Sequence, residues 1–381
     1  MSASTVIVSA TPHLRRKRTT RGIMLDVLIA LLPATVAGLV FFGGRAAVTI
    51  VLSVFGAVAT EWVWLLCKRM SFKEIARQFD LTSVITGLLL ALTLPPLDYK
   101  YAYIPIISSV FAVGVAKMIF GGTGRNIVNP AIAGRVFAFI SFQSPMVSGW
   151  AAPAFGSVSG ATVSSATPLT AMFGEGIGAM GVSQLDLFLG TGVMGSIGET
   201  CKIALLVGFL YLVIRRVVKW QWPVIYIVVT GLISCAMGKS MAYFVPSILS
   251  GGLFLGAIFM ATDYVTSPNN KWACYVYYVL LGVVTALLRF GTKIEVVSFA
   301  ILLLNLIVPL LNMWIRPRPF GAIPVLQLAK QKCADLKAKV AASKQEKAAK
   351  KQREAEQKQE AAEQAEFSQP QQTERKEGDA Q

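Results

Sequence analysis

The chain has 381 residues, of which 54% are hydrophobic and only 15% charged, and its formal net charge is +16. Long apolar runs approach or exceed the roughly 18 to 20 residues that cross a bilayer as a helix, so the composition predicts an all-α polytopic membrane protein. The basic residues alternate with these runs instead of forming a patch on a soluble domain, which excludes nucleic-acid binding and favours a role in membrane topology.

The N-terminal arm, residues 1–22, is short, polar and basic. The apolar run after it is long and has no clear cleavage site, so it is interpreted as the first span and not as a signal peptide. His13 is the only histidine, and the five cysteines are scattered without a C-x-x-C pair. This pattern predicts no metal site.

Ten candidate spans follow, each an apolar run bounded by charge, glycine or proline. They lie at about 23–42, 46–67, 82–96, 101–120, 131–146, 200–217, 222–238, 246–262, 274–290 and 296–315. The third, TSVITGLLLALTLPP, is short and ends in a double proline. We therefore expect it to be a broken or re-entrant segment buried among its neighbours.

The spans divide the chain into two membrane halves with a loop between them. The predicted regions are 1–22, the cytoplasmic arm; 23–146, the first half; 147–199, an external loop; 200–318, the second half; and 319–381, a charged tail, helical or disordered. With a cytoplasmic N-terminus, 17 Lys and Arg lie inside before the tail and five lie outside. This asymmetry predicts that both termini are cytoplasmic.

The two halves share a weak internal sequence similarity. TGLLLALTLPPLDYKYAY (86–103) resembles GGLFLGAIFMATDYVTSPNNKWACY (251–275) in its glycine and leucine opening, its proline-containing polar turn and its aromatic end. With five spans per half, the second copy would have the opposite membrane orientation. The similarity therefore predicts a 5+5 inverted repeat, as in many transporters.

Polar residues at the membrane supply the candidate binding residues. The segment GGTGRNIVNP (121–130) has no preceding strand, so a dinucleotide fold is not supported. A glycine turn that lets the backbone approach an anionic or heteroaromatic ligand, or a neighbouring helix, fits it better. The candidate cofactor-binding residues are Gly122, Gly124, Arg125, Asn126 and Asn129.

Four ionisable residues fall in or beside the predicted spans: Asp26, Glu61, Arg135 and Asp263. Such groups are costly in lipid and normally face a cavity or a partner. They are predicted to contribute to an ion path. For Glu61 and Arg135 a structural pair is the alternative, and for Asp26 and Asp263, close to the cytoplasmic ends of their spans, hydration without a role in the path is the alternative.

The external loop is rich in small residues from 147 to 186, and Glu175 and Asp186 are its only charges. Two clusters of Ser, Gly, Ala and Thr stand out in it, at 159–162 and at 164–169. Its residues are too small to build a hydrophobic core, and its charges are too few for a solvated tail. It is therefore a candidate functional segment.

Five motifs, in this order, resemble the family that contains the D subunit of Rnf electron-transport complexes and the B subunit of sodium-pumping NADH:quinone reductases. They are SATPHLR (9–15), TRGIMLDVLIALLP (20–33), TGLLLALTLPP (86–96), GGTGRNIVNPA (121–131) and MATDYVTSP (260–268). The resemblance covers about residues 5–320, and the short N-terminal arm favours the Rnf member.

The resemblance implies a ten-span subunit of a complex that couples electron transfer from ferredoxin to NAD⁺ with export of Na⁺ or H⁺. It also implies FMN joined through its phosphate to a threonine in D-x-x-S-G-A-T-P-L; some members also hold riboflavin. Here the motif aligns on Thr167, preceded by Ser164, Ser165 and Ala166, with Thr162 as the alternative. Ser165 stands where Gly is usual and Ala161 where Asp is usual.

The implied partners are the other complex subunits, membrane lipid and a flavin-attaching transferase, and the implied location is the inner cell membrane. Three other functions are kept as alternatives: the B subunit of a quinone reductase, a non-redox secondary transporter or channel of the same architecture, and a structural anchor whose tail recruits soluble subunits.

Overall fold

The computed structural model describes residues 19–148, 168–174 and 176–315. The chain divides into two units, residues 1–316 and 317–381, and every described residue belongs to the first. The described residues form helices joined by turns and short 3-10 segments, and none of them is in a β-strand. The predicted all-α architecture is confirmed.

Six helices precede the central loop. They are α1 (Thr20–Cys67), α2 (Phe72–Gln78), α3 (Thr82–Thr93), α4 (Tyr103–Val110), α5 (Pro130–Ser141) and α6 (Gln143–Ser148). The helix that begins as α4 continues as a π-helix over Phe111–Met118. Asn129 caps α5, because its side chain accepts a hydrogen bond from the backbone N–H of Ala131 at 3.0 Å, and Pro130 opens the first turn.

Eight further helices lie after α6 in the described residues, the first two of them within the central loop. They are α7 (Pro168–Gly174), α8 (Gln184–Leu189), α9 (Lys202–Ile214), α10 (Gln221–Gly238), α11 (Phe244–Leu249), α12 (Leu253–Leu255), α13 (Lys271–Thr292) and α14 (Val297–Trp314). The short α12 continues as a π-helix over Gly256–Met260.

The first helix reverses at Gly43. Its 48 residues would extend about 72 Å at 1.5 Å per residue, more than twice the thickness of a hydrocarbon core. Gly43 has φ 58° and ψ −138°, outside the helical region. Met24 near the start of α1 lines the same cavity as Lys117, which bonds to Glu61 near its end. The two arms therefore return to the same end of the protein.

Two helix pairs bend sharply, one in each half. The axes of α2 and α3 differ by 66°, and those of Met241–Leu249 and Leu253–Met260 differ by 69°. The first pair covers most of the third predicted span, so a bent segment is present there, but its break lies at residues 79–81, before the predicted span and away from the double proline at 95–96. The second pair contains the eighth predicted span, which occupies the same position in the second half of the ten-span scheme.

Backbone groups at the ends of the interrupted helices find partners in distant parts of the chain, the central loop for the first helix and the opposite half for the second. The carbonyl oxygens of Leu92 and Leu94 accept the N–H groups of Gly198 and Ile197 at 2.8 and 3.1 Å. The carbonyl oxygen of Met260 accepts from the Asn129 side chain at 3.3 Å. Backbone groups at membrane depth need such partners because lipid offers none.

By length and composition, five helices among the described residues can cross a membrane, or seven if each bent pair counts as one span. The apolar helices α5 and α9 are shorter. Large apolar side chains point outward from the bundle, such as Phe55 at 66% and Leu210 at 60% exposure, as lipid-facing positions do. All ten predicted segments lie on these helices, and a multi-span membrane protein is confirmed. The count of ten stays a prediction.

Close helix packing depends on glycine at the crossing of α1 and α9. A methyl group on Gly208 would collide with the carbonyl oxygen of Ala30, whereas one on Gly291 in α13 would meet nothing within 4 Å.

We expect Gly208→Ala to lower the free energy of unfolding by about 1–3 kcal/mol, because overpacking forces the two backbones apart. Gly291→Ala is the matched control and should be neutral or stabilising by about 0.5–1 kcal/mol, since alanine suits a helix better than glycine. Thermal unfolding of both variants in detergent measures the difference. Equal melting temperatures would contradict the close packing of α1 against α9.

Candidate functional site

Two cavities in the described part of the membrane unit are lined by some of the predicted site residues. Cavity A, of about 120 Å³, has apolar walls from the start of α1, from α3 and from the π-helix at Gly256–Met260. Its polar lining residues are Thr82, Thr86, Lys117, Thr123, Asn126, Asn129, Thr262, Asp263 and Tyr264. Cavity B, of about 170 Å³, lies among α5, α7, the start of α9 and the break between α11 and α12.

A buried ion pair stands at cavity A. The Nζ of Lys117 donates to Glu61 Oε1 at 3.0 Å, to Thr82 Oγ1 at 2.6 Å and to Ser83 Oγ at 2.9 Å. Both charged residues are buried, at 2% and 7% exposure. Thr82 in turn donates to Asp80 at 2.5 Å. Glu61 therefore pairs with Lys117, and the alternative of a structural pair between Glu61 and Arg135 is wrong.

The glycine turn reaches cavity A in part. Gly122 and Gly124 have φ values of 91° and 88°, which favour glycine. Gly124, Asn126 and Asn129 line the cavity, whereas Gly122 and Arg125 do not. Asn126 donates to its neighbour Val128 at 3.1 Å, so the side-chain amides of both asparagines hold backbone groups. Their role toward a cofactor stays a prediction.

Asp26 and Asp263 lie at the same end as cavity A. Asp26 accepts from Tyr211 at 3.0 Å and pairs with Arg215 at 3.1 Å. Asp263 lines the cavity and accepts from Thr266 at 3.2 Å. Asp263 is the acidic residue among those that line cavity A. It has no ion pair among the described residues.

Arg135 lines cavity B, whereas Asp263 lines cavity A. Arg135 is 6% exposed, and its NH1 contacts Met146 Sδ at 3.5 Å. None of the four ion pairs found within the described ranges includes it. Two acidic residues, Glu199 and Glu295, also line this cavity.

The acidic residues of cavity B are held by the surrounding backbone and by one arginine. Glu199 accepts the backbone N–H of Ser196 at 2.9 Å. Glu295 pairs with the fully buried Arg289 at 3.0 Å. The glycines at 251 and 252 let these two carboxylates approach the chain, because a methyl group on either glycine would collide with one of them.

The predicted flavin threonine and its neighbours, Ser164 to Thr167, lie outside the described residues, as does the alternative Thr162. The next residues, Pro168 and Leu169, are buried and line cavity B. Further along the same loop, Asp186 accepts from Ser183 at 2.7 Å and from Thr191 at 2.8 Å. These hydrogen bonds hold the pKa of Asp186 below its usual range, so it stays ionised near neutral pH.

Sequence reasoning missed several charged residues of the two cavities. Charged residues at the ends of predicted spans are expected to be hydrated in loops. The structure instead buries four of them or encloses them at a cavity: Lys117, Glu199, Lys202 and Glu295. Arg289 falls inside the predicted span 274–290. The search for ionisable residues within apolar runs, which found Arg135, could also have found Arg289.

Breaking the pair at cavity A should be costly. We expect Lys117→Met to lower the free energy of unfolding by about 3–5 kcal/mol, because the buried Glu61 loses its counter-charge. Adding Glu61→Gln should restore most of the loss. Thermal melting of the single and double variants tests this. A double variant that is as unstable as the sum of the two single changes would contradict the pairing.

Comparison with known proteins agrees with the motifs. The model of the NQR2, RnfD, RnfE family matches residues 7–321. The chain is 38% identical over 333 residues to the D subunit of the Na(+)-translocating ferredoxin:NAD(+) oxidoreductase complex of Acetobacterium woodii, covering 87% of this chain and 100% of the relative.

Two further relatives are similar over most of their length. The D subunit of the proton-translocating ferredoxin:NAD(+) oxidoreductase complex of Clostridium ljungdahlii is 36% identical over 82% of this chain and 96% of its own. The D subunit of the ion-translocating oxidoreductase complex of Stutzerimonas stutzeri is 34% identical over 78% of this chain and 91% of its own. The chain therefore belongs to the NQR2, RnfD, RnfE family.

Proposed function

We propose that this chain is the D subunit of an Rnf-type complex that couples electron transfer between ferredoxin and NAD⁺ to ion export. The observation that carries this proposal is the end-to-end correspondence with the Acetobacterium relative, which is aligned over 100% of its length. The motifs on both sides of the membrane fall within the matched residues 7–321. The other complex subunits, lipid and a flavin-attaching transferase are the partners that this function requires.

The proposed cofactor is FMN, joined through its phosphate to Thr167. FMN supplies the electron chemistry, and the protein supplies position and electrostatics. The residues of cavity B suit this cofactor: Pro168 and Leu169 follow the attachment residue directly, and Phe139 adds an apolar aromatic wall. Arg135 and Lys202 bring positive charge to the same cavity, beside the acidic Glu199 and Glu295.

Changing Thr167 to Val should abolish covalent flavin, because valine has the shape of threonine without the hydroxyl that forms the phosphoester. Thr162→Val is the matched control and should keep it. In-gel flavin fluorescence of the denatured chain, with mass spectrometry of the peptide spanning 147–186, measures attachment. If fluorescence persists in the first variant and vanishes in the second, the flavin is on Thr162.

The proposed ion path begins at cavity A. Asp263 faces this cavity, the Glu61–Lys117 pair borders it, and Asp26 lies at the same end of the protein. Arg135 lies at cavity B, so the four predicted residues are divided between the two cavities. The relatives include a named sodium pump and a named proton pump at similar identity, so similarity does not select the ion.

We expect Asp263→Asn to lower ion uptake by vesicles that contain the whole complex about tenfold or more, a change of about 1.4 kcal/mol, because the cavity loses its carboxylate. NAD⁺ reduction in uncoupled vesicles should continue. Asp186→Asn, at a carboxylate already bonded to Ser183 and Thr191, is the control and should leave both rates unchanged. Equal loss of ion uptake and NAD⁺ reduction in Asp263→Asn would remove this residue from the ion path.

The proposed location is the inner cell membrane with both termini in the cytoplasm. The support is the distribution of Lys and Arg, 17 on one side before the tail and five on the other. In this orientation cavity A opens toward the cytoplasm, and cavity B lies toward the outside.

A further inference from the structure

A third space, groove C, opens at the surface where three membrane helices meet. It has a volume of about 590 Å³ and lies between the end of α9 and the starts of α10 and α13. Val218 lines both groove C and cavity A, so the two lie at the same end of the protein. Helices that cross a bilayer begin and end near its headgroups, which places groove C at headgroup depth. Its lining includes Arg216, Lys219, Trp220, Trp222, Lys271 and Tyr275.

The charged side chains that line groove C are all basic. They are those of Arg216, Lys219 and Lys271, and no acidic residue is among the described residues that line the groove. All three are exposed, and none of the four ion pairs found within the described ranges includes them. The neighbouring Arg215, by contrast, pairs with Asp26. Three like charges in one groove repel one another, so a negative ligand is bound favourably there.

The turn at the end of α9 sets the position of Arg216. Its backbone N–H donates to the carbonyl oxygen of Val213 at 2.9 Å. The N–H of Val217 donates to the carbonyl oxygen of Leu212, also at 2.9 Å. These two bonds form a Schellman motif, in which the left-handed residue is usually glycine. Here that residue is Arg216, with φ 54°, so a side chain that carries charge occupies a position where glycine is less strained.

Aromatic rings form the floor and the rim of groove C. The buried Trp222 stacks on Tyr278, with ring centroids 5.6 Å apart, and meets the ring of Tyr275 edge-on at 4.9 Å. Trp220 also lines the groove and is exposed. Trp and Tyr are enriched where membrane spans meet the headgroups, because their rings have an apolar body and a polar tip.

Exposed apolar side chains continue from groove C along two membrane helices. On α10, Gln221 lines the groove, and Val224 and Val228 follow on the same helix face and are exposed. On α13, Tyr275 lines the groove, and the exposed Val279 follows one turn later. A basic site above an apolar stripe matches the two parts of a phospholipid, its phosphate and its acyl chains.

We propose that groove C binds the headgroup of an anionic phospholipid through Arg216, Lys219 and Lys271, with an acyl chain along the apolar stripe of α10 and α13. Basic pockets between membrane helices on the cytoplasmic side suit such headgroups. A zwitterionic headgroup carries its own cation, which the three basic residues repel. The proposal requires only that the chain is inserted in a membrane, so it is independent of the proposed electron transfer and flavin.

Lipid binding is measured on the full chain, purified in nonionic detergent and stripped of lipid. Dioleoyl phosphatidylglycerol is the probe, and native mass spectrometry counts the bound molecules. Combining Arg216→Gln, Lys219→Gln and Lys271→Gln should weaken its binding about hundredfold, since each basic residue near an anionic headgroup contributes about fivefold. Dioleoyl phosphatidylcholine should bind weakly to both proteins. Equally tight binding of the two lipids to the unaltered chain would overturn the proposal.

The matched control removes three exposed cations beside the end of α1 and in α2. Lys68→Gln, Lys73→Gln and Arg77→Gln together change the net charge by the same amount and should leave phosphatidylglycerol binding within about twofold, because they do not line groove C. If both triple variants lose binding equally, the attraction depends on net charge alone and groove C is not the site.

Arg216→Gly separates binding from folding. Glycine suits a φ of 54°, so the lipid-free variant should melt at the same or a higher temperature. Its affinity for phosphatidylglycerol should nevertheless fall about fivefold because one cation is lost. Unchanged affinity in this variant would contradict the assignment.

Soluble anions distinguish a lipid site from a general anion site. Inorganic phosphate and glycerophosphoglycerol, the headgroup without acyl chains, should raise the melting temperature of the unaltered chain much less than phosphatidylglycerol does. An equal increase would overturn the proposal, because the apolar stripe would then contribute nothing. The proposal would also be overturned if the groove triple variant binds phosphatidylglycerol normally but no longer assembles with other subunits, since groove C would then be a protein interface.

Discussion

Backbone groups at membrane depth need protein partners, and this constraint organises the structure around its interrupted helices. The carbonyl oxygens of Leu92 and Leu94 accept from Gly198 and Ile197 in the loop between the two halves, and that of Met260 accepts from Asn129 in the first half. These hydrogen bonds tie the broken spans to the central loop and to the opposite half.

The two cavities differ in their charge. At cavity A the cation Lys117 is neutralised by Glu61, and Asp263 faces the space without an ion pair in the described part of the chain. At cavity B the acids are held by backbone groups and by Arg289, and Arg135 shares the cavity with Glu199 and Glu295 without a direct ion pair in the described ranges. The proposed ion path and the proposed flavin site are assigned to different cavities.

Local sequence signals predicted the fold well. Apolar runs identified the helices, and the double proline after the third run accounts for the end of α3 at Thr93, because proline cannot continue a helix. The bend before α3, at residues 79–81, had no such signal. The same test for ionisable residues in apolar runs found Glu61 and Arg135. It could not find Lys117 as the partner of Glu61, which is 56 residues away, because periodicity reports which face of a helix is buried and not what covers it.

The sequence by itself determined the class of the protein, its helical segments and its family motifs, because hydrophobic length and ordered short motifs are local properties of the chain. Only the tertiary structure decided that α1 reverses at Gly43 and that Glu61 pairs with Lys117. It also decided that Arg135 shares a cavity with Pro168. These relations depend on which helices pack together, and packing joins residues far apart in sequence that no local pattern connects.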